Sequence, residues 1–134
     1  MKKRALFVGR FQPCHLGHEW LIRQKLDKGI PCLIYVRDIP PNDRNPYTTE
    51  QTVEILSAAF SGEDVEIMVG PDIESVNWGR GVGYETNDHG ECPIPGISAT
   101  KIREALESNE PGDHEWTKFV SPKVAAKLRS IHDR

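Results

Sequence analysis

The chain has 134 residues, of which 37% are hydrophobic and 28% charged, and a formal net charge of -3. That length suits one compact domain with a single core, and its mixed charges give no basic field that would concentrate a polynucleotide. Its apolar runs fall far short of the roughly 20 residues that span a bilayer, and the stretch after the basic MKKR start is too short for a signal-peptide core. A cytoplasmic protein with no membrane or polynucleotide partner is expected.

The run KRALFVG (3–9) reads as a first β-strand, apolar enough to be buried on both faces and ending near Gly9. A helix is predicted over 17–28, where Trp20, Leu21, Ile22 and Leu26 fall partly on helical spacing until Gly29 and Pro31 stop it. CLIYV (32–36) is a second continuous apolar run, and strand, helix, strand in this length implies a crossover onto a parallel sheet. RDIPPNDRNPYT (37–48) is a loop by its proline, asparagine and aspartate content. Thr48 and Gln51 form a capping box for a helix whose apolar face is Val53, Ile55, Leu56, Ala59 and Phe60, closing before Gly62. Residues 65–69 alternate as a third parallel strand, ended by Gly70 and Pro71. The glycine-rich stretch 79–96 reads as a long mobile or ligand-ordered loop. Ser98 opens a helix through Leu106, and the acidic run 104–110 reads as a solvated helix face. Ser121 and Pro122 open another helix, with Val124, Ala125, Leu128 and Ile131 on one side. The predicted fold is α/β: a single Rossmann-like domain over 1–134, a parallel sheet flanked by helices, with C-terminal helices. Cys14, Cys32 and Cys92 are odd in number and lack CxxC spacing, so neither a disulfide framework nor a protein-bound metal is expected.

The segment GRFQPCHLGH (9–18) falls in the turn from first strand to first helix, where an open α/β sheet places its ligands. Gly9 permits close backbone approach and Pro13 stiffens the turn. Gly17 lets the first helical turn, with its free N–H groups, approach a phosphate. His15 and His18, three residues apart at a helix start, can each donate an N–H to phosphate oxygens where charge grows during transfer. A second anion site is expected at ISATKIR (97–103), where hydroxyls at a helix start are followed by lysine and arginine. Two such ends can clamp one triphosphate.

HLGH resembles the HxGH signature of the nucleotidylyltransferase superfamily, whose members are cytidylyltransferase-like in fold. ISATKIR resembles that superfamily's ISxTxxR signature. GRFQPCHLGH as a whole is similar to the form in archaeal-type nicotinamide mononucleotide adenylyltransferases, as are NPYTTEQT (45–52) and PDIE (71–74). The resemblance implies transfer of AMP from ATP to a small phosphorylated acceptor, nicotinamide mononucleotide first, with pyrophosphate leaving and magnesium (Mg2+) carried by the triphosphate. It assigns catalysis to His15, His18 and Arg103, and nucleotide binding to Gly9, Arg10, Phe11, Gln12, Pro13, His15, Gly17, His18, Ile97, Ser98, Thr100 and Arg103. Arg10, Arg37, Arg44 and Arg80 are candidate acceptor-phosphate ligands, since arginine forks suit phosphate. Trp78 is a candidate to stack on a base or nicotinamide ring, whereas Trp20 and Trp116 read as packing residues. The chain departs from the pattern at Gln51 and Thr52, where the archaeal enzymes carry glutamate then arginine, and it is shorter between PDIE and ISATKIR. Two other readings follow: a cytidylyltransferase making a CDP-alcohol, and a nucleotide-binding regulator without turnover. Superfamily members are often oligomers, so a homo-oligomer fits the resemblance.

Overall fold

The structure, a computed structural model, describes residues 1–108 and 115–134. Its elements run in chain order: β1 (Ala5–Val8), α1 (Leu16–Leu26), β2 (Cys32–Arg37), α2 (Thr49–Ala59), β3 (Val65–Gly70), α3 (Ala99–Ser108), a 3₁₀ turn (Glu115–Phe119) and α4 (Pro122–His132). The three strands form one parallel sheet in the order β1-β2-β3. Phe7 registers against Ile34, and Ile34 against Ile67. This is the predicted α/β architecture, corresponding to the first half of a doubly wound sheet.

Local chemistry sets most boundaries. The Thr48 hydroxyl accepts from Gln51 N–H while the Gln51 side chain accepts from Thr48 N–H, so α2 starts with a reciprocal capping box. Ser121 caps α4 through Val124 N–H, with Pro122 in the first turn where its missing donor is harmless. Gly29 follows α1 at φ 77°, a conformation that glycine adopts without a Cβ clash. The 3₁₀ turn was not anticipated from sequence, and residues 71–98 carry no helix or strand, a longer irregular stretch than expected. Of the acidic run, Glu104 and Glu107 are exposed; Asn109 and Glu110 lie outside the described residues.

The core lies on one face of the sheet. Phe7, Cys32, Ile34 and Val36 point into a cluster with Ile22 of α1, Ile55 and Leu56 of α2, and Val124 and Leu128 of α4. Each such fully buried aliphatic side chain contributes about 1.5–3 kcal/mol over its exposed state. Trp116 joins this cluster, as expected of a packing residue, with the Arg129 guanidinium over its ring. The expectation that β1 is buried on both faces is wrong. Leu6 is 54% exposed and Val8 46%, and on the same face of β3 Met68 is exposed too. The apolar run of β1 reflects a sheet position that a doubly wound fold covers with helices of its second half. Among the described residues no strand pairs with the outer edge of β1.

Candidate active site

The turn after β1 is built around the two histidines. His15 is the N-cap of α1, and its Nδ1 accepts from Gly17 N–H at 3.1 Å and from His18 N–H at 3.4 Å. In return His18 Nδ1 accepts from His15 N–H at 3.2 Å. This is a capping box made of imidazoles, with the same i to i+3 spacing that serine and glutamate use elsewhere. Backbone N–H groups only donate, so both Nδ1 atoms are acceptors and the ring proton of each neutral histidine sits on Nε2. The rings stack at 3.8 Å between centroids, 15° from parallel. Burial lowers the pKa of His15 to about 4. Burial, reinforced by the neighbouring His15, lowers His18 to about 3. At neutral pH the free site therefore presents two uncharged Nε2–H donors.

In this structure the His15 ring takes the amides of both Gly17 and His18. Glycine also answers a packing need: a Cβ there would stand 2.9 Å from His15 Cε1 and 3.0 Å from Nδ1. Cys92 closes the other side, with its Cβ 3.6 Å from the same point.

Behind the histidines the turn is buried. Phe11 is 1% exposed and holds φ 51°, a left-handed conformation that bulky residues avoid. Its ring meets His18 at 4.9 Å, and a Cβ on Gly9 would press on it at 3.1 Å. Gln12 is buried too: its Oε1 accepts from Tyr47 N–H at 3.0 Å, and its Nε2 donates to Tyr47 O at 3.4 Å and to Thr52 Oγ1 at 3.5 Å. Phe11, Gln12 and Pro13 thus shape and anchor the turn from inside. Sequence reasoning assigned them to the nucleotide and missed the tie from Gln12 to α2.

The second motif reaches the first. Arg103 Nη1 donates to Gln12 O at 2.7 Å across 91 positions of sequence, and Nη2 donates to Thr100 Oγ1 at 3.4 Å. Ser98 starts α3, its Oγ accepting from Lys101 N–H at 3.3 Å. The exposed Thr100 and half-buried Ser98 and Ile97 lie at the end of α3 that Arg103 draws onto the turn.

Two hollows open at the carboxyl edge of the sheet, and Arg10 and Arg37 line both. One, of about 10 Å³, is bounded also by Gln12, Tyr47, Thr49 and Thr52. The other, of about 220 Å³, lies over the ends of all three strands, with Val8, Gly9, Tyr35, Asp72 and Ile73. Arg37 is held at both ends: Nη2 donates to Asn45 Oδ1 at 3.1 Å and Nη1 to Asp72 Oδ1 at 3.3 Å. Neither Asn45 nor Asp72 was singled out in the sequence. Arg44, Trp78 and Arg80 border neither hollow; Trp78, 63% exposed, and Arg80 belong to the irregular stretch 71–98, so the structure does not gather them with Arg10 and Arg37. Among the described residues, no three or more His, Cys, Asp or Glu side chains cluster where they could hold a metal ion. No described helix is long and apolar enough to cross a membrane.

A parallel sheet, a histidine pair at its first turn and an ISATKIR helix drawn onto that turn are the features that carry the resemblance to nucleotidyltransferases. Sequence comparisons find relatives whose names carry that activity. The chain is 26% identical to the nicotinamide-nucleotide adenylyltransferase of Thermococcus onnurineus over an aligned span of 162 residues, covering 98% of this chain and 84% of that enzyme. It is 24% identical to the enzyme of the same name from Methanospirillum hungatei, covering 96% and 88%. It is 29% identical to a probable nicotinate-nucleotide adenylyltransferase of Clostridium tetani, covering 96% and 64%. The chain is thus a relative of adenylyltransferase enzymes of the nucleotidyltransferase superfamily. An aligned span of 162 residues over a chain of 134 requires gaps on this chain's side. No protein-family profile matches the chain.

Proposed function

We propose that the protein is an adenylyltransferase that moves AMP from ATP to a small phosphorylated acceptor, nicotinamide mononucleotide being the first candidate. The observation that most supports this is the junction of the two motifs, with Arg103 bonded to the Gln12 carbonyl beside a neutral histidine pair. An acceptor phosphate oxygen attacks the α-phosphorus in line. The new P–O bond forms as the bond to the β-phosphate breaks, and the electron pair leaves with pyrophosphate. His15 and His18 donate their Nε2–H groups to the α-phosphate oxygens as charge builds there, and Ser98, Thr100 and the start of α3 hold the β- and γ-phosphates. Because both imidazoles are uncharged, positive charge comes from Arg10, Arg103 and magnesium carried by the triphosphate. No protein nucleophile is needed; positioning and charge neutralisation supply most of the rate.

The test is pyrophosphate release from ATP and magnesium with a panel of phosphorylated acceptors that includes nicotinamide mononucleotide. Product with that acceptor is expected. Faster release from CTP would replace this reading with a cytidylyltransferase, and ATP binding with no release from any acceptor would replace it with a nucleotide-binding regulator.

A further inference from the structure

Arg37, at the end of β2, lines both hollows at the carboxyl edge of the sheet. Its guanidinium is planted on one side by Asn45, itself 8% exposed and fixed by two bonds to Asn42 Oδ1. On the other side it meets Asp72, a half-exposed carboxylate that also accepts from Ile73 N–H at 2.9 Å. The two contacts differ in kind. Asn45 is a buried, neutral, preorganised partner. Asp72 is a solvated counter-ion at 3.3 Å, and exposed ion pairs of this kind are weak. Tyr35 spends its hydroxyl on Pro71 O at 2.6 Å, which leaves its ring as an apolar wall.

We infer that Arg37, with Arg10 across the hollow, is the seat of the acceptor's phosphomonoester, and that Asp72 is the specificity element that yields the guanidinium to a dianion. This rests on the adenylyl-transfer reading for its place in the reaction, although the seat itself binds phosphate with or without turnover. A phosphomonoester is a near-dianion at neutral pH and offers the arginine fork two oxygens; it outcompetes one weakly held carboxylate. A neutral alcohol or a single carboxylate has no such advantage and is rejected. At about 220 Å³ the hollow is smaller than the ~300–1,000 Å³ pockets that enclose whole ligands, and suits a phosphate with part of its sugar.

The experiment is calorimetric titration of ribose 5-phosphate, with ribose as control, into the intact protein and into Arg37→Gln, Arg37→Lys and Asp72→Asn variants whose folding is checked by circular dichroism. Ribose 5-phosphate binds and ribose does not. Arg37→Gln weakens binding about tenfold or more, as loss of a charge-assisted fork requires; Arg37→Lys recovers part of it, and Asp72→Asn tightens it. ATP affinity stays within about threefold in all three. No binding by the unaltered protein, an unchanged affinity in Arg37→Gln, or weaker binding in Asp72→Asn overturns the assignment. The two readings fail separately. Ribose 5-phosphate binding without pyrophosphate release from any acceptor removes the adenylyl transfer and leaves the seat. Pyrophosphate release with an unchanged acceptor KM in Arg37→Gln removes the seat and leaves the transfer.

Discussion

His15 is asked to do two jobs with two nitrogens, and substitutions can separate them. Its Nδ1 caps α1 by accepting from Gly17 and His18 N–H, and under the proposed function its Nε2–H faces the transferred phosphate. Asparagine is among the best N-caps, so His15→Asn keeps an acceptor for the same amides and removes only the distal donor; His15→Ala removes both. Loss of the cap costs about 1 kcal/mol, which for a domain of this size lowers Tm by about 3–6 °C. Loss of one preorganised donor to the transition state lowers kcat by about 10²–10³. His15→Asn should therefore melt within about 1–2 °C of the unaltered protein, His15→Ala should melt earlier, and the two should be equally slow in pyrophosphate release. Differential scanning fluorimetry and a coupled pyrophosphate assay on the same preparations decide it. If His15→Asn retains turnover, the distal nitrogen has no part in the chemistry. If it is as unstable as His15→Ala, the ring is not the cap that the geometry describes.

The same histidines set an acid limit. Their native pKa values, about 4 and about 3, lie below the ordinary histidine value of 6.5, so between roughly pH 6.5 and 4 the unfolded chain binds protons that the native state refuses. Stability falls with falling pH across that window, by at most about 1.4 kcal/mol per pH unit per histidine. Burial raises the carboxyl of Glu19 and works in the opposite direction, so the difference between urea midpoints of the unaltered protein and His15→Asn, followed from pH 7 to 4.5, isolates the share of His15. Gln12→Leu leaves Tyr47 N–H and C=O unpartnered beneath the turn; a loss of about 1–3 kcal/mol is expected in urea unfolding, with a matching loss of ATP affinity if the turn is what holds the triphosphate. Cys14 and Cys32 are buried, and burial pushes both thiols up, whereas Cys92 is partly exposed. Iodoacetamide on the native protein should add one label by mass spectrometry, at Cys92, and three after unfolding.

What could be read from the sequence was what short range encodes. The start of α2 was legible because Thr48 and Gln51 carry both halves of their capping box within one turn, and α4 because Ser121, Pro122 and its buried face obey one period. The reciprocal cap of His15 and His18 uses the same spacing, yet histidine is an uncommon cap and the pattern does not announce it. The packing need at Gly17 shows only once the His15 ring is placed against it. Long range hid the rest. Nothing local to Arg103 names the Gln12 carbonyl as its partner, and nothing local to Arg37 names Asn45 and Asp72. The run ALFV in β1 reads as two-sided burial because sequence records the environment a strand is suited to, and it cannot show that among the described residues nothing covers Leu6 and Val8.

That uncovered face bears on selectivity. Open α/β sheets bind ligands in a crevice beside the first strand, where the strand order reverses. This chain retains β1, its histidine turn and α3, the parts proposed to handle phosphates, but among the described residues it has no strand beyond β1. Under the proposed function, a base that meets the irregular stretch 71–98 finds there exposed rings and no closed pocket, Trp78 being 63% and Tyr84 79% exposed. Strong rejection of a wrong base, by factors of about 10⁴–10⁵, needs buried polar groups that are left unpaired when that base enters. Exposed aromatic rings stack on any base and penalise none strongly. The protein should therefore favour ATP over CTP and GTP by only about tenfold in kcat/KM, measured as pyrophosphate release at fixed acceptor and magnesium. A preference above about 10³ would show that a closed base pocket forms, and that residues 71–98 fold onto the nucleotide when it binds.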